Sequence, residues 1–260
     1  MPKTLTGNNP RREQRLQQLM LDRIEQKYVR RVAWEVNRAM REAAKLVDAG
    51  EPVPTDQILP EHRKRMSRLL DQLWMDSGMD MSEHIAGTKK AMASFETKRT
   101  FDAVQPTEQA DRVMQDWILS VGAAKIVRIS ETTKRDVKRI INKGIREGLS
   151  EKEIAKLIRE SSPSLANNRA QLIARTETHT AANVAAQATA EASGVQLQRE
   201  WVANMGSERT RVSHREADGQ KVGMKEPFIV DGVPLMYPGD PEGPARLTIN
   251  CRCAVAYVVK

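Results

Sequence analysis

The stretch WVANMGSERTRVSHREADGQ, Trp201 to Gln220, places Arg209, Arg211, His214, Glu216 and Asp218 in one connection. The only two cysteines, Cys251 and Cys253, follow with a single arginine between them. Three kinds of chemistry are open to this set. Thiolates and an imidazole suit zinc, so His214, Cys251 and Cys253 could be ligands, with Asp218, Glu177 or His179 as a fourth. The C-x-C spacing differs from the usual C-x-x-C chelating knuckle, which weakens that reading. Alternatively, His214 acts as general base while Arg209 and Arg211 clamp a phosphate beside Glu216, giving a metal-dependent, nuclease-like or transferase site. No phosphate loop, nucleophile triad or metal-nuclease pattern accompanies it. The third reading is structural. A small β unit has little core and needs staples, and buried thiols pack as small apolar groups. Packing is preferred: no cofactor and no catalytic residue are expected, with zinc kept as the alternative. Extended backbone alternates its side chains, so Cys251 and Cys253 should share a face turned toward His214, with Arg252 opposite.

Elements on either side must position these residues. Leu197 and Trp201 alternate with Gln198 and Glu200, which predicts a strand. FIVDGVPLMYP carries Asp231-Gly232 between apolar runs, a two-residue hairpin signal. PGDPEGP (Pro238 to Pro244) reads as a loop and CAVAYVV as a last strand. Upstream, an alanine-rich helix from about Leu165 to Ala192 carries Arg175-Thr176-Glu177, and Gly194 is its expected C-terminal cap. Glu177 is expected to reach Arg209 or Arg211 and fix the β unit on the helix. Ser150-Glu151-Lys152-Glu153 forms a capping box that starts a preceding helix. SSPS (Ser161 to Ser164) is expected to end that helix and start the next.

The rest of the chain reads as helices. Residues 1–12 look like a disordered tail. A long helix from about Arg12 to Ala49 shows the stripe Leu16, Met20, Ile24, Tyr28, Val32, Val36, Met40, Ala44. Gly50 and EPVPT stop it. A second helix is expected over Pro60 to Asp76 and a weaker one after Ser82, with Phe95 and Phe101 near a connecting loop. Another is expected from about Thr107 to Val121, burying Val113, Trp117 and Ile118. In KIVRISETTKRDVKRIINKGIREG, Ile126, Ile129, Val137, Ile140, Ile141 and Ile145 form one face. Arg128, Arg135, Lys138, Arg139, Lys143 and Arg146 form the other. From Lys125 to Arg175 there are thirteen Lys or Arg against six Asp or Glu, 13 − 6 = +7, against a net +8 for the 260 residues. That face is the candidate for contact with nucleic-acid phosphates, although a solvated helix face has the same appearance. The fold class is therefore α+β and predominantly helical, with a small antiparallel β unit at the C-terminus. The expected division is 1–12, a helical assembly region 13–105, a helical part 106–194, and a β unit 195–260. Two neighbouring cysteines make no disulfide framework, the N-terminus lacks a signal-peptide core, and no apolar run is long enough for a membrane span.

Taken together, "GLSEKEIAKLI", "ARTETHTAANVAA", a tryptophan, "RTRVSH", "DG", "PF", "YPGDP" and "NCRC" occur in an order that resembles the phage Mu F-like head morphogenesis family. The resemblance covers about Lys125 to Lys260. It places the family's motif positions on Arg175, Thr176 and Glu177, then Trp201, Arg209, Arg211 and His214. Asp218, Gly219, Asn250, Cys251 and Cys253 complete the set. The acidic residue that often precedes the R-x-R element is here Ser207. The resemblance implies a minor head protein of a tailed phage, made in the host cytoplasm and housed inside the head near the portal. It also implies a non-enzymatic role in head morphogenesis and in DNA packaging or delivery. Implied partners are the portal protein, the scaffold or major capsid protein, and nonspecific double-stranded DNA. A nonspecific DNA-binding module is a further alternative.

Overall fold

Apolar residues three and four apart run through most of the first 190 positions, and they fold as helices. The computed structural model describes residues 4–51, 55–86 and 106–260. Helices α1 (Pro10–Asp48), α2 (Thr55–Ala86) and α3 (Pro106–Trp117) come first. A π-helical turn, Ile118–Gly122, leads into α4 (Ala123–Arg146), followed by α5 (Glu151–Ala192). The C-terminal part alternates short elements: β1 (Leu197–Val202), α6 (Val212–Glu216), β2 (Lys221–Gly223), β3 (Phe228–Val230), β4 (Val233–Leu235), α7 (Ala245–Thr248) and β5 (Ala254–Val259). The expected class, a mainly helical α+β chain with a small antiparallel unit at its end, is the one observed. No helix among the described residues is long and apolar enough to cross a membrane.

Two compact units emerge, and neither is continuous in sequence. The first gathers residues 1–24, 74–117 and 175–260; the second gathers 25–73 and 118–174. A linear division into tail, assembly region and module does not follow this packing, because α1, α2 and α5 each give residues to both units.

In the first unit, β2, β1 and β5 form an antiparallel sheet in that order, with Trp201 opposite Val255 and Leu197 opposite Val259. Beside it, β3 and β4 make the hairpin, with Val230 paired to Val233 across Asp231 and Gly232. Both turn residues have positive φ, 53° and 71°, as a type I′ turn requires. The buried sides of the strands meet Leu21, Met81, Ile85, Ala182 and Ala186. Contrary to the expected disordered tail, Thr4 bridges Val258 and the Leu5 amide donates to the Tyr257 carbonyl at 2.7 Å. The segment joins the sheet edge because β5 leaves a row of unpaired groups there.

The second unit is helical. Tyr28, Val32, Val36, Met40 and Ala44 of α1 are buried, as are Met66, Leu69, Leu70 and Leu73 of α2. Nearer the start of α1 the predicted stripe drifts out of the core. Leu16 is 36% exposed while Gln17 is 3% exposed, because steps of four overshoot the 3.6-residue turn. On α4, Ile126 and Val137 are buried but Ile145 is exposed. The last turn packs instead through Gly144, where a Cβ would stand 2.5 Å from Ile154 Cγ1.

Three expected boundaries move. α2 runs unbroken from Thr55 to Ala86, absorbing the expected second helix and the start of the third. Phe95 and Phe101 lie outside the described residues. The expected helix over 107–121 ends at Trp117 in the π-helical turn, and it buries Ala110 and Met114 with Trp117 rather than Val113 and Ile118. The SSPS break is absent: α5 passes through Pro163. Proline has no N–H for the Arg159 carbonyl, and Ser162 Oγ donates to that oxygen instead at 3.1 Å. The capping box is present, with the Ser150 amide donating to Glu153 Oε2 at 2.8 Å and the Glu153 amide to Ser150 Oγ at 3.4 Å.

Candidate functional site

His214 lies on the single turn of α6, and Cys251 and Cys253 lie in the extended run entering β5. All three are buried. His214 Nδ1 stands 3.4 Å from Cys253 Sγ and 3.6 Å from Cys251 Sγ. The Cys253 amide also donates to Cys251 Sγ at 3.4 Å. Alternation therefore turns both thiols toward His214, while Arg252 points away and pairs with Asp22 at 2.5 Å. The thiols are not equivalent. Donation from Cys253 to Cys251, aided by Arg211, holds Cys251 below its ordinary pKa. The same contact, together with burial, pushes Cys253 well above it. Trp201 covers the imidazole, with ring centroids 5.5 Å apart and planes at 84°, and meets Phe228 at 5.4 Å on another side.

Asp218, Glu177 and His179 do not complete a four-residue ligand set: only His214, Cys251 and Cys253 converge among the described residues. Asp218 Oδ1 accepts the Ala203 amide at 2.8 Å, and its other oxygen pairs with Arg11. Gly219, at φ 77°, then turns the chain so that its amide reaches the Trp201 carbonyl at 2.8 Å. Glu177 is buried and accepts the indole N–H of Trp74 at 3.0 Å. The expected reach of Glu177 to Arg209 or Arg211 does not occur. Arg211 donates to the Ile249 carbonyl at 2.7 Å, and Arg209 is exposed. A helical residue reaches only what its own face meets, and position 177 faces α2.

The Arg-Thr-Glu and Asn-Cys-Arg-Cys elements instead meet through Asn250. Arg175 Nη1 donates to Asn250 Oδ1 at 2.7 Å, and the Asn250 amide donates to Thr176 Oγ1 at 3.1 Å. Asn250 holds a left-handed backbone, φ 61°, which lets its amide and side chain face the same helix. One and two turns further on, Thr180 Oγ1 donates to the Gly239 carbonyl at 3.0 Å and Asn183 Nδ2 to the Pro238 carbonyl at 3.1 Å. One stretch of α5 thus anchors both the proline loop and the cysteine run.

As a catalytic set, Arg209, Arg211, His214 and Glu216 do not converge. His214 is 1% exposed beneath Trp201, whereas Arg209 and Glu216 face solvent. The basic candidates do share a surface: Arg128, Arg135, Lys138, Arg139, Lys143 and Arg146 of α4 are all exposed.

Residues 135–256 match the family model described as Phage Mu protein F like protein. Over these residues the chain is similar to that family, and this stretch is called the module below. Minor head protein GP7 of Bacillus phage SPP1 is 36% identical over 98 residues, which is 35% of this chain and 30% of that protein. The chain thus spans about 30% of the length of the curated relative it matches. No solved structure matches.

Two buried charges important to the module's surroundings were not anticipated. Arg199 of β1 is fully buried. It donates to the Gly223 carbonyl at 3.2 Å, to Gln187 Oε1 at 3.2 Å, and to the Met236 and Glu226 carbonyls. Its guanidinium lies 5.2 Å over the Phe228 ring, and burial lowers its pKa. The signal was present: Leu197, Arg199 and Trp201 share the inward parity of one strand. Outside the module, Glu13 is 1% exposed and accepts from Thr6, Asn8, Gln17 and His84. Burial raises its pKa, but the contacts with His84, Thr6 and Gln17 outweigh that and hold it below 4.5. Ser207, where the family often has an acidic residue, caps its own turn. Its Oγ accepts the Arg209 amide at 3.3 Å and its carbonyl accepts Arg215 at 3.1 Å.

Proposed function

We propose that the chain is a non-enzymatic minor head protein of a tailed phage, acting in head morphogenesis. The observation that carries this is the use of the motif residues. Arg175, Thr176, Trp201, Arg211, His214, Asp218, Asn250, Cys251 and Cys253 are engaged with one another or with backbone groups. They hold His214 buried against Trp201, while Arg209 and Glu216 face solvent. The match to a phage minor head protein supports the same reading. In it, the protein is made in the host cytoplasm and resides in the head near the portal. Its partners are the portal protein and the scaffold or major capsid protein, and it assists DNA packaging or delivery. Fractionation of procapsids and mature heads, with the chain tracked by immunoblot, tests this. Presence in both is expected; absence from both overturns it.

The exposed basic face of α4 favours a second property, nonspecific contact with double-stranded DNA. Phosphate neutralisation by Arg128, Arg135, Lys138, Arg139, Lys143 and Arg146 would give affinity that falls linearly on a log–log plot against salt. Salt-independent binding would exclude that surface. A nuclease centred on His214 predicts DNA cleavage by purified protein with divalent metal; His214→Ala would abolish it.

A further inference from the structure

The geometry points to a zinc site inside the module, with Cys251 Sγ, Cys253 Sγ and His214 Nδ1 as its protein ligands. Zinc–sulfur bonds near 2.3 Å and zinc–nitrogen bonds near 2.0–2.1 Å, set at the tetrahedral angle, place sulfur and nitrogen about 3.6 Å apart. The two sulfur–nitrogen separations here are 3.4 and 3.6 Å. All three donor atoms lie within 4.8 Å of one another, so one cation can reach every one of them.

Hydrogen bonding alone accounts for the arrangement less well. A neutral imidazole nitrogen has one lone pair, and a single S–H donor uses it. Two sulfurs nevertheless converge on the same Nδ1. A cation between them satisfies all three atoms at once, after the thiol protons have left to solvent.

The surroundings suit a structural metal. All three ligands are buried, and Trp201 stands nearly perpendicular to the imidazole, covering it. The ligands come from α6 and from the run entering β5, two short segments 37 and 39 residues apart in sequence. A cation there ties the irregular α6 connection to the central sheet in a unit whose strands have at most six residues. Three protein donors leave one tetrahedral position for a small ligand such as water. Sulfur and imidazole donors select zinc over magnesium or calcium, which take oxygen. This inference does not depend on a role in the phage head.

The test uses the full chain, purified under reducing conditions without chelator, and measures zinc by mass spectrometry after gel filtration. About one zinc per chain is expected. Replacement by Co²⁺ should give an intense near-ultraviolet thiolate-to-cobalt band and the visible bands of tetrahedral cobalt. Cys251→Ser and Cys253→Ser should each lose the metal, while Arg252→Ala, whose side chain points away, should retain it. Should the serine variants fail to fold, the wild-type cobalt spectrum decides. A folded, reduced chain that takes up neither Zn²⁺ nor Co²⁺ overturns the proposal. So does a cobalt spectrum without the thiolate band, or zinc retained in both folded serine variants.

Discussion

The two units of this chain solve the same problem by different means. The unit of residues 25–73 and 118–174 is held mainly by helix faces of Val, Met, Leu and Ile, with polar contacts between neighbouring helices. The most deeply buried of its carboxylates among the described residues, Glu35, sits against His62 at 2.9 Å and Arg65 at 2.9 Å. The other unit has few long elements beyond its helices. Its β part depends on individual polar atoms: Asn250 on Thr176, Gly219 on Trp201, Arg199 on three carbonyls, Asp218 on Ala203. Periodic apolar surface tolerates substitution as long as volume is kept. A lattice of single hydrogen bonds does not, because each loss strands a buried partner. This contrast explains why the recognisable motifs cluster in the second case.

Substitutions that separate the two strategies should rank accordingly. Trp201→Ala removes a fully buried ring that covers His214 and packs on Phe228. A loss of about 3–5 kcal/mol is expected. Urea unfolding would measure it, and amide exchange should rise in β1, β2 and β5 while the α1 and α4 segments of the helical unit stay protected. Equal exchange in both units would erase the contrast.

Glu13→Ala comes next. It strands Gln17 and His84, and about 2–3 kcal/mol should be lost, since charged hydrogen bonds contribute most when broken. Here pH discriminates. A carboxylate held below 4.5 when folded stabilises the fold above the unfolded value, and the contribution fades as pH falls through the folded one. The gap between wild type and Glu13→Gln should therefore narrow on acidification below pH 4.5. A gap independent of pH would contradict the charged role.

Within the helical unit, Ser162→Ala should cost only about 1 kcal/mol. It frees the Arg159 carbonyl that Pro163 cannot serve and removes the bond to Asn37 at 2.7 Å. Thermal unfolding measures it; a loss as large as that of Trp201→Ala would show the helical unit to be equally brittle. Smallest of all, Arg139→Ala or Lys143→Ala should change stability by no more than about 0.5 kcal/mol. Each should lower the salt slope of DNA binding by about 1. Unchanged slopes would make the α4 face a solvated surface only.

Much of the helical unit was legible because periodicity is local. Tyr28 to Ala44 and Met66 to Trp74 report their burial from spacing alone. The Asp231-Gly232 turn, the Ser150–Glu153 box and the shared face of Cys251 and Cys253 were legible for the same reason. Contacts between distant positions were not. Glu177 with Trp74 is separated by 103 residues and Gln17 with Val255 by 238, and no spacing rule connects such pairs. Pro163 misled because the compensating hydroxyl is the residue before it, which also reads as a turn former. The placement of His214 beside both cysteines was foreseen. Their choice between packing and metal was not decided by spacing, since C-x-C specifies a face but not the third donor.

The pairing of Thr4 and Leu5 with β5 also has a consequence for synthesis. Their sheet partner emerges from the ribosome some 250 residues after them. At roughly 5–20 residues per second, the interval is on the order of ten to fifty seconds. Throughout that time Thr6, Glu13 and Gln17 have no strand to close against, while the last segment of the helical unit, ending at Ala174, is translated before β5. The nascent chain therefore carries an open polar seam around Thr6 to Gln17, and translation of β5 supplies the means to close it.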